Sequence, residues 1–568
     1  MAFHIALNMA GAVSAGAYTA GVLDFLVEAL DEWYDARESQ RRLHGDDVQS
    51  WTIPAHDVSL DVMSGASAGG MCAAISSIAL QEEFDHVHQT SPPAGLPVNR
   101  LYQSWVRSID IVPLLGTVDL PNRQGPVHSL LDSTPISAIA NTALQAQAGR
   151  QQKREWIAEQ MAVILTMSNL RGIPYSVDLA NAGSFEERIA YHADRIQFAI
   201  RNGLVASTDT SIGLDSSNAA DPNWPALRTA AMATGAFPVM LASRTIERKR
   251  AEYENRLWNI NNPEPDQGEC QSEVKIAPAW DDNVVPATFP NVYADGGVTN
   301  NNPFECARQY LVQAAGNSKS NPRDPKDANA AVITVAPFPG EAPFDPGYDP
   351  QKQSELVNVL TALLGTLISQ TRFQGEDLRL TKDEDVSSRF AIAPSDSTAP
   401  DLPSLLCGSL GAFGGFIDQK FRDRDYQLGR RNCQQFLRKS FALPQDNVTI
   451  TAGITKKPEL QPAFEAEYSF VENGKRWYPI IPLMPALRQE ILAPPRDQFK
   501  TTAARLEQVA DAALNRVKTV LHAFANQPGD VHGVWSFVLT GAFDVFEPKL
   551  RSLILGTLTS QLSALKQV

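Results

Sequence analysis

The chain has 568 residues, 43% of them apolar and 20% charged, the balance of a globular protein with room for more than one core. A formal net charge of −15 argues against nucleic acid as a general partner and against attraction of the whole body to anionic lipid, so any peripheral membrane contact is expected to be local. Five scattered cysteines (Cys72, Cys270, Cys306, Cys407 and Cys433) form no C-x-x-C pair, which fits reduced thiols in a cytoplasm.

The first apolar run, Phe3 to Met9, reads as a buried strand. No basic segment precedes it, and no signal peptide is expected. A small-residue loop follows, Gly11-Ala12-Val13-Ser14-Ala15-Gly16, and then a helical stretch from Thr19 to Trp33. Strand, loop and helix in that order expose backbone N–H groups at a helix N-terminus, where an oxyanion or a phosphate binds. The loop does not fit G-x-G-x-x-G, because Val13 stands at the third place, so a nucleotide site is not expected. An ordinary connection, small for packing reasons, is the plain alternative.

The second strand-like run is Val58 to Met63. It leads into Gly65-Ala66-Ser67-Ala68-Gly69 and a helix through Met71-Cys72-Ala73-Ala74-Ile75. A serine at the apex of a strand–turn–helix is the nucleophile elbow. Small neighbours let the hydroxyl project, Gly65 and Gly69 are the elbow glycines, and Gly69 and Gly70 let the helix start close to the strand. The helix N-terminus, with the Ala68 N–H, sits beside the oxygen that becomes negative. The competing reading is a tight turn whose serine caps the helix. His86 and His88 share a face if their stretch is extended; a solvated loop is preferred over a metal pair.

Farther on, Met161 to Leu165 and Ala331 to Val335 read as strands with helical patterns between them. The alternation predicts an α/β fold with a mainly parallel sheet covered on both faces. The basic run Arg244 to Arg250 reads as a solvated face, with a lipid-headgroup contact as the sharper hypothesis. Residues 245–290 look like an insertion or lid. In Asp295-Gly296-Gly297 an aspartate ends a short apolar run and glycines turn the chain. A domain boundary is expected near 345, followed by a mostly helical region, 346–568. That region includes an apolar face over Leu356 to Gln370, charged helices with Arg422, Arg424, Arg430 and Arg431, and a terminal helix with Leu550, Ile554, Leu558, Leu562 and Leu565 in step. Core packing is preferred over a membrane-surface role for the last.

Taken together, the Gly11 loop, the Ser67 turn and Asp295-Gly296-Gly297 resemble the patatin-like phospholipase family. Gly16 to Leu23 (GAYTAGVL), Ser129 to Pro135 (SLLDSTP), Leu165 to Tyr175 (LTMSNLRGIPY) and Ala230 to Pro238 (AAMATGAFP) extend the resemblance over residues 1–345. It implies a three-layer sandwich, no catalytic histidine, and a Ser–Asp dyad of Ser67 and Asp295; no calcium-loop pattern is visible, so neither metal nor cofactor is expected. It further implies hydrolysis of lipid acyl esters through an acyl-enzyme, with the oxyanion held by the Gly11, Ala12, Val13 and Ala68 backbone. Some patatin-related proteins carry a similar helical C-terminal part. The loop departs from the usual G-G-G-x-R-G: Ala15 replaces the arginine, which weakens the expectation of a phospholipid substrate. Ala12 and Val13 are expected at negative φ. Two alternatives stand beside this reading. One is a Ser–His–Asp esterase on non-lipid esters using His192, His522 or His532. The other is a catalytically weak module that binds lipid or a partner.

Overall fold

The computed structural model describes the chain apart from residues 1, 90–97, 124, 147–150, 179–185, 261–271, 282–283, 319, 339–347, 356–358, 360–361, 363–365, 367–386, 400 and 526–531. Its centre is a nine-stranded sheet: β1 (Ala2–Met9), β2 (Asp57–Gly65), β3 (Ile157–Asp178), β4 (Glu186–Arg201), β5 (Ile212–Asp215), β6 (Arg244–Lys249), β7 (Thr288–Asp295), β8 (Ala330–Val335) and β9 (Arg389–Ile392). The main path runs β9-β8-β1-β2-β3-β4-β5, and β7 joins the far end of β3 and carries β6. The pairings from β9 through β3 are all parallel, while β3–β4, β3–β7 and β6–β7 are antiparallel.

The period-two pattern of these strands separates two cores. Phe3, Ile5, Leu7 and Met9 of β1, with Ile333 and Val335 of β8, pack toward α1 (Gly16–His44) and α2 (Ser67–Ala79). Ala6, Val62, Ala162, Ile164 and Val332 point the other way, onto Phe304, Ala307 and Leu311 of the helix Phe304–Ala314. Helix, sheet and helix thus make three layers, and strands buried on both faces, such as β8, read as continuous apolar runs. The apolar helical stretch Val13–His44 has the length and hydropathy to cross a membrane, but 94% of its apolar window is buried in this core.

Residues beyond 345 do not stand apart from this body. Arg389–Ile392 extends the sheet beside β8. The helix Gln419–Lys439 lies against α1 so closely that a Cβ on Gly21 would fall 1.9 Å from the Tyr426 carbonyl oxygen. Three of its arginines, Arg422, Arg424 and Arg430, are buried. Arg430 ion-pairs with Asp24 and Glu28 of α1, and the Arg422 Nε donates to the Val106 carbonyl at 3.1 Å. His86 and His88 lie in a loop beside the Arg430 cluster, at 2.7 Å from Asp24 and 3.0 Å from Glu28, with His86 mostly enclosed and His88 half exposed.

The rest of this part holds a small antiparallel sheet (Ala442–Pro444, Lys475–Pro479, Phe470–Glu472) and two long helices, Ala503–Ala525 and His532–Ala564. Leu562 is buried with Leu506 and Val509, in keeping with packing at the end of the terminal helix. The expected apolar helix 356–370 lies almost wholly outside the described residues, as do Cys270 and the polar run 261–266. Residues 245–290 are not all insertion, since β6 and the start of β7 belong to the main sheet.

Candidate active site

The carboxyl ends of β1 and β2 meet at Met9 and Gly65, and Gly65 in turn pairs with Leu165 of β3. Loops leaving the ends of parallel strands form the crevice where such sheets bind ligands. Ser67 opens α2 there with φ 53, a left-handed conformation costly for a non-glycine residue. Tight neighbours hold it. A Cβ on Gly69 would lie 2.2 Å from the Met9 carbonyl oxygen, and one on Gly65 would lie 2.5 Å from the Gly69 backbone. The Ser67 N–H, which α2 cannot satisfy, donates to Thr234 Oγ1 at 2.9 Å.

Asp295 arrives on β7, which pairs with β3 at Met167. Its backbone is tied on both sides: its N–H donates to the Ala236 carbonyl at 2.9 Å, and Ser168 Oγ donates to its carbonyl at 2.7 Å. The carboxylate is divided between two partners. Gly297 N–H donates to Oδ1 at 2.6 Å, leaving Oδ2 2.6 Å from Ser67 Oγ. Both side chains are largely enclosed, Ser67 at 7% exposure and Asp295 at 2%. Burial pushes the Asp295 carboxyl up to about 7, against the opposing hydrogen bonds from Ser67 and Gly297. Gly296 has φ −61 rather than a left-handed turn. It is required for space, since a Cβ would lie 2.3 Å from the Thr166 carbonyl oxygen, and Gly297 is crowded by Asn301 and Asp295.

The Gly11–Gly16 loop passes beside Ser67. Gly11 does not present a free donor, because its N–H is spent on the Asn301 carbonyl at 3.1 Å. Ala12, at φ −150, has the expected negative angle. Val13 does not: its φ is 47. The reason lies in the next residue. Ser14 is tied to Ala412, its N–H donating at 3.2 Å and its Oγ at 2.5 Å to the same carbonyl, and this pulls the loop into a short helical turn. Among the described residues, the N–H groups of Ala12 and Val13 carry no hydrogen bond, and that of Ala68 lies in the unsatisfied first turn of α2. Ala15, which stands where the resembled family usually has an arginine, is fully buried.

A cavity of about 760 Å³, counting its open mouth, begins at Ser67 and Ala68. Met71, Ile75, Trp105, Ile139, Phe237 and Phe413 are among its walls, and among the described residues its hydroxyl-bearing lining is Ser67 and Ser104. Such a lining suits an alkyl chain.

Among the described residues no histidine hydrogen-bonds Ser67 or Asp295. His192 Nδ1 lies 2.6 Å from the Asn169 carbonyl oxygen, His522 sits in the helix Ala503–Ala525, and the His532 side chain is outside the described residues. No cluster of three metal-ligating side chains occurs among the described residues. The basic run is only partly open, with Lys249 exposed and the arginines engaged. Arg248 is 2% exposed and ion-pairs with Asp194 and Glu252, Arg250 pairs with Glu254, and Arg244 donates to Ser137 Oγ. Sequence reasoning missed the supporting residues. Thr234 lies within AAMATGAFP and could have been singled out there; Ser14 and Phe413 carry no motif signal for these contacts.

No family model matches the chain. An uncharacterized protein of Sinorhizobium fredii, y4iI, is 34% identical over 490 residues. The match covers 79% of this chain but 66% of that protein, so the chain spans just under two thirds of its relative's length. Among solved structures, VipD from Legionella pneumophila overlaps 91% of this chain and 86% of its own, at 11% identity and a TM-score of 0.20, too low to indicate a shared fold.

Proposed function

We propose that this chain is a serine acyl hydrolase of the patatin-like kind, cleaving fatty-acyl esters with Ser67 as nucleophile and Asp295 as base. The observation that carries the reading is the 2.6 Å contact between Ser67 Oγ and Asp295 Oδ2 at the mouth of an apolar cavity. Asp295 Oδ2 takes the Ser67 proton as Oγ attacks the ester carbonyl carbon. The Ala12, Val13 and Ala68 N–H groups are the donors for the resulting oxyanion. Gly11 serves this loop through its shape rather than its N–H. Collapse of the intermediate expels the alcohol, which takes the proton back from Asp295. Water, deprotonated by Asp295, then attacks the acyl-enzyme, and the fatty acid leaves as Ser67 regains its proton.

A carboxylate is ordinarily too weak a base for a serine hydroxyl. An Asp295 raised to about 7 narrows that gap, and a dry site strengthens the oxyanion contacts. His192 is engaged elsewhere, on the Asn169 carbonyl, which speaks against a triad through that histidine.

The test is a fluorescent fluorophosphonate with wild-type and Ser67→Ala protein, run beside phospholipid, lysophospholipid and neutral glycerolipid esters. Labelling of wild type alone, with fatty acid released from one lipid class, is the expected result. A folded wild-type protein that neither labels nor releases fatty acid would overturn the reading in favour of a binding module.

A further inference from the structure

The Ser67 cavity is not built by the first 345 residues alone. Phe413 and Phe416, from the stretch between β9 and the helix Gln419–Lys439, line it as well. The turn just before Phe413 is strained: Leu410, Gly411 and Ala412 all have left-handed φ, at 53, 63 and 73. Two of them are not glycine, and such a run persists only where surrounding contacts over-determine it.

Those contacts are visible. Ser14 Oγ donates to the Ala412 carbonyl at 2.5 Å and accepts from the Gly415 N–H at 3.1 Å. Arg422 Nη1 donates to the Gly415 carbonyl at 2.5 Å, and Asp425 accepts the N–H groups of Leu406 and Cys407 at 3.1 and 2.8 Å. The turn is therefore pinned from the Gly11–Gly16 loop on one side and from a buried helix on the other. The ring that follows it stands edge-on to Phe237 at 5.5 Å and to Phe416 at 5.9 Å, both lining the same cavity.

We propose that Phe413 is a specificity-determining residue of the Ser67 site: held by the Leu410–Gly411–Ala412 turn, its ring walls the cavity and sets the length of acyl chain that fits. The inference rests on the hydrolase reading and goes beyond it by assigning chain-length selection to one side chain outside the expected catalytic part. An alkyl chain has no polar group with which to be recognised. Discrimination among acyl chains must come from the shape of the apolar walls, and a bulky ring on a pinned turn is a fixed part of that shape.

The experiment measures labelling rates with alkyl fluorophosphonates bearing short, medium and long tails, on wild type, Phe413→Ala, Phe413→Leu and Phe413→Trp. In parallel it measures binding of fatty acids of the same lengths to Ser67→Ala protein with and without the Phe413 changes. Phe413→Ala should raise the long-to-short rate ratio by about tenfold or more, the scale on which apolar pockets discriminate by size. Phe413→Leu should fall between Ala and wild type, and Phe413→Trp should lower the ratio, which keeps the test alive if the alanine variant does not fold. The fatty-acid binding ratios should move in the same directions. Equal changes for every tail, or none, would overturn the proposal. Failure of the hydrolase reading is distinct, because it removes labelling from wild type while the binding series still reports on the wall.

Discussion

Two buried aspartates, Asp295 at the end of β7 and Asp194 on β4, sit in opposite environments. Asp194 is ringed by cations and hydroxyls: Arg248 at 3.0 Å, Arg256 at 2.6 Å, and the phenols of Tyr253 and Tyr293 at 2.8 and 2.9 Å. Burial opposes its charge, yet the two guanidinium groups hold its carboxyl well below the usual range. Asp295 is buried to the same degree, with one hydroxyl and one N–H for partners, and burial pushes it up to about 7. Burial alone therefore does not reveal what a carboxylate is for. A fully paired one braces the fold; one left without a cation is destabilising when charged, and is poised to take a proton.

Substituting each aspartate with asparagine breaks the pair apart. Asp295→Asn should lower kcat/KM for an ester substrate by about 10³-fold or more, the loss of a general base, while leaving the protein folded. Asp194→Asn should do the reverse. It takes from the buried Arg256 its carboxylate partner and leaves Arg248 paired with Glu252, and breaking a buried ion pair typically destabilises by about 3–5 kcal/mol, read as a fall in the urea midpoint. Loss of activity in Asp194→Asn without loss of stability would undo the contrast.

The pH dependence sharpens it. If Asp295 is the base, activity should rise with pH through a midpoint at about 7. Stability should move the other way for this residue. Its folded pKa lies above the unfolded 3.8, so its favourable contribution is complete below that value and is lost as pH rises through about 7, by about 4 kcal/mol in all. Asp295→Asn should accordingly gain stability over wild type in mildly alkaline buffer and gain little near pH 4. Asp194, with its lowered pKa, contributes stability above the ordinary aspartate value of 3.8 and loses it only as the solution becomes strongly acidic. Denaturation midpoints across pH, for wild type and both variants, separate the two.

A smaller effect is expected at Thr234, whose hydroxyl accepts the Ser67 N–H. Thr234→Val keeps the shape and removes the acceptor. It should lower kcat by about tenfold with KM nearly unchanged, since the elbow loses its anchor while the cavity keeps its walls. A matched rise in KM would instead place Thr234 in substrate binding.

The parts of this arrangement legible in the sequence are the local ones. The turn at Ser67 announces itself because strand, small residues and helix are contiguous, and the parallel sheet because β8 and the core of β3 are unbroken apolar runs. Long-range pairing is what stayed hidden. Arg248 looks like an exposed basic residue until Asp194, 54 positions earlier, is placed against it. Arg430 looks like part of a charged surface helix until it meets Asp24 across 406 positions. The strand Arg389–Ile392 is only four residues long and opens on an arginine, and its place beside β8 makes it part of the sheet. The clamp of Ser14 on Ala412 spans 398 positions and uses a backbone carbonyl, which no residue pattern encodes.

Val13 gives the finest test of that clamp. Its φ of 47 follows from the Ser14 tether rather than from its own preference, since a β-branched residue disfavours this region. Val13→Gly and Val13→Ala remove nearly the same side-chain packing, so their difference isolates the backbone. In an ordinary extended or helical position alanine would be the more stable of the two. Here glycine should be the more stable by about 1 kcal/mol, because it alone adopts a left-handed angle without strain. Adding Ser14→Ala should erase the difference if the tether is its cause, because a released loop would relax to negative φ and restore the usual preference for alanine. Persistence of the glycine advantage in that background would move the origin of the strain to the Gly11–Asn301 contact on the other side of the loop.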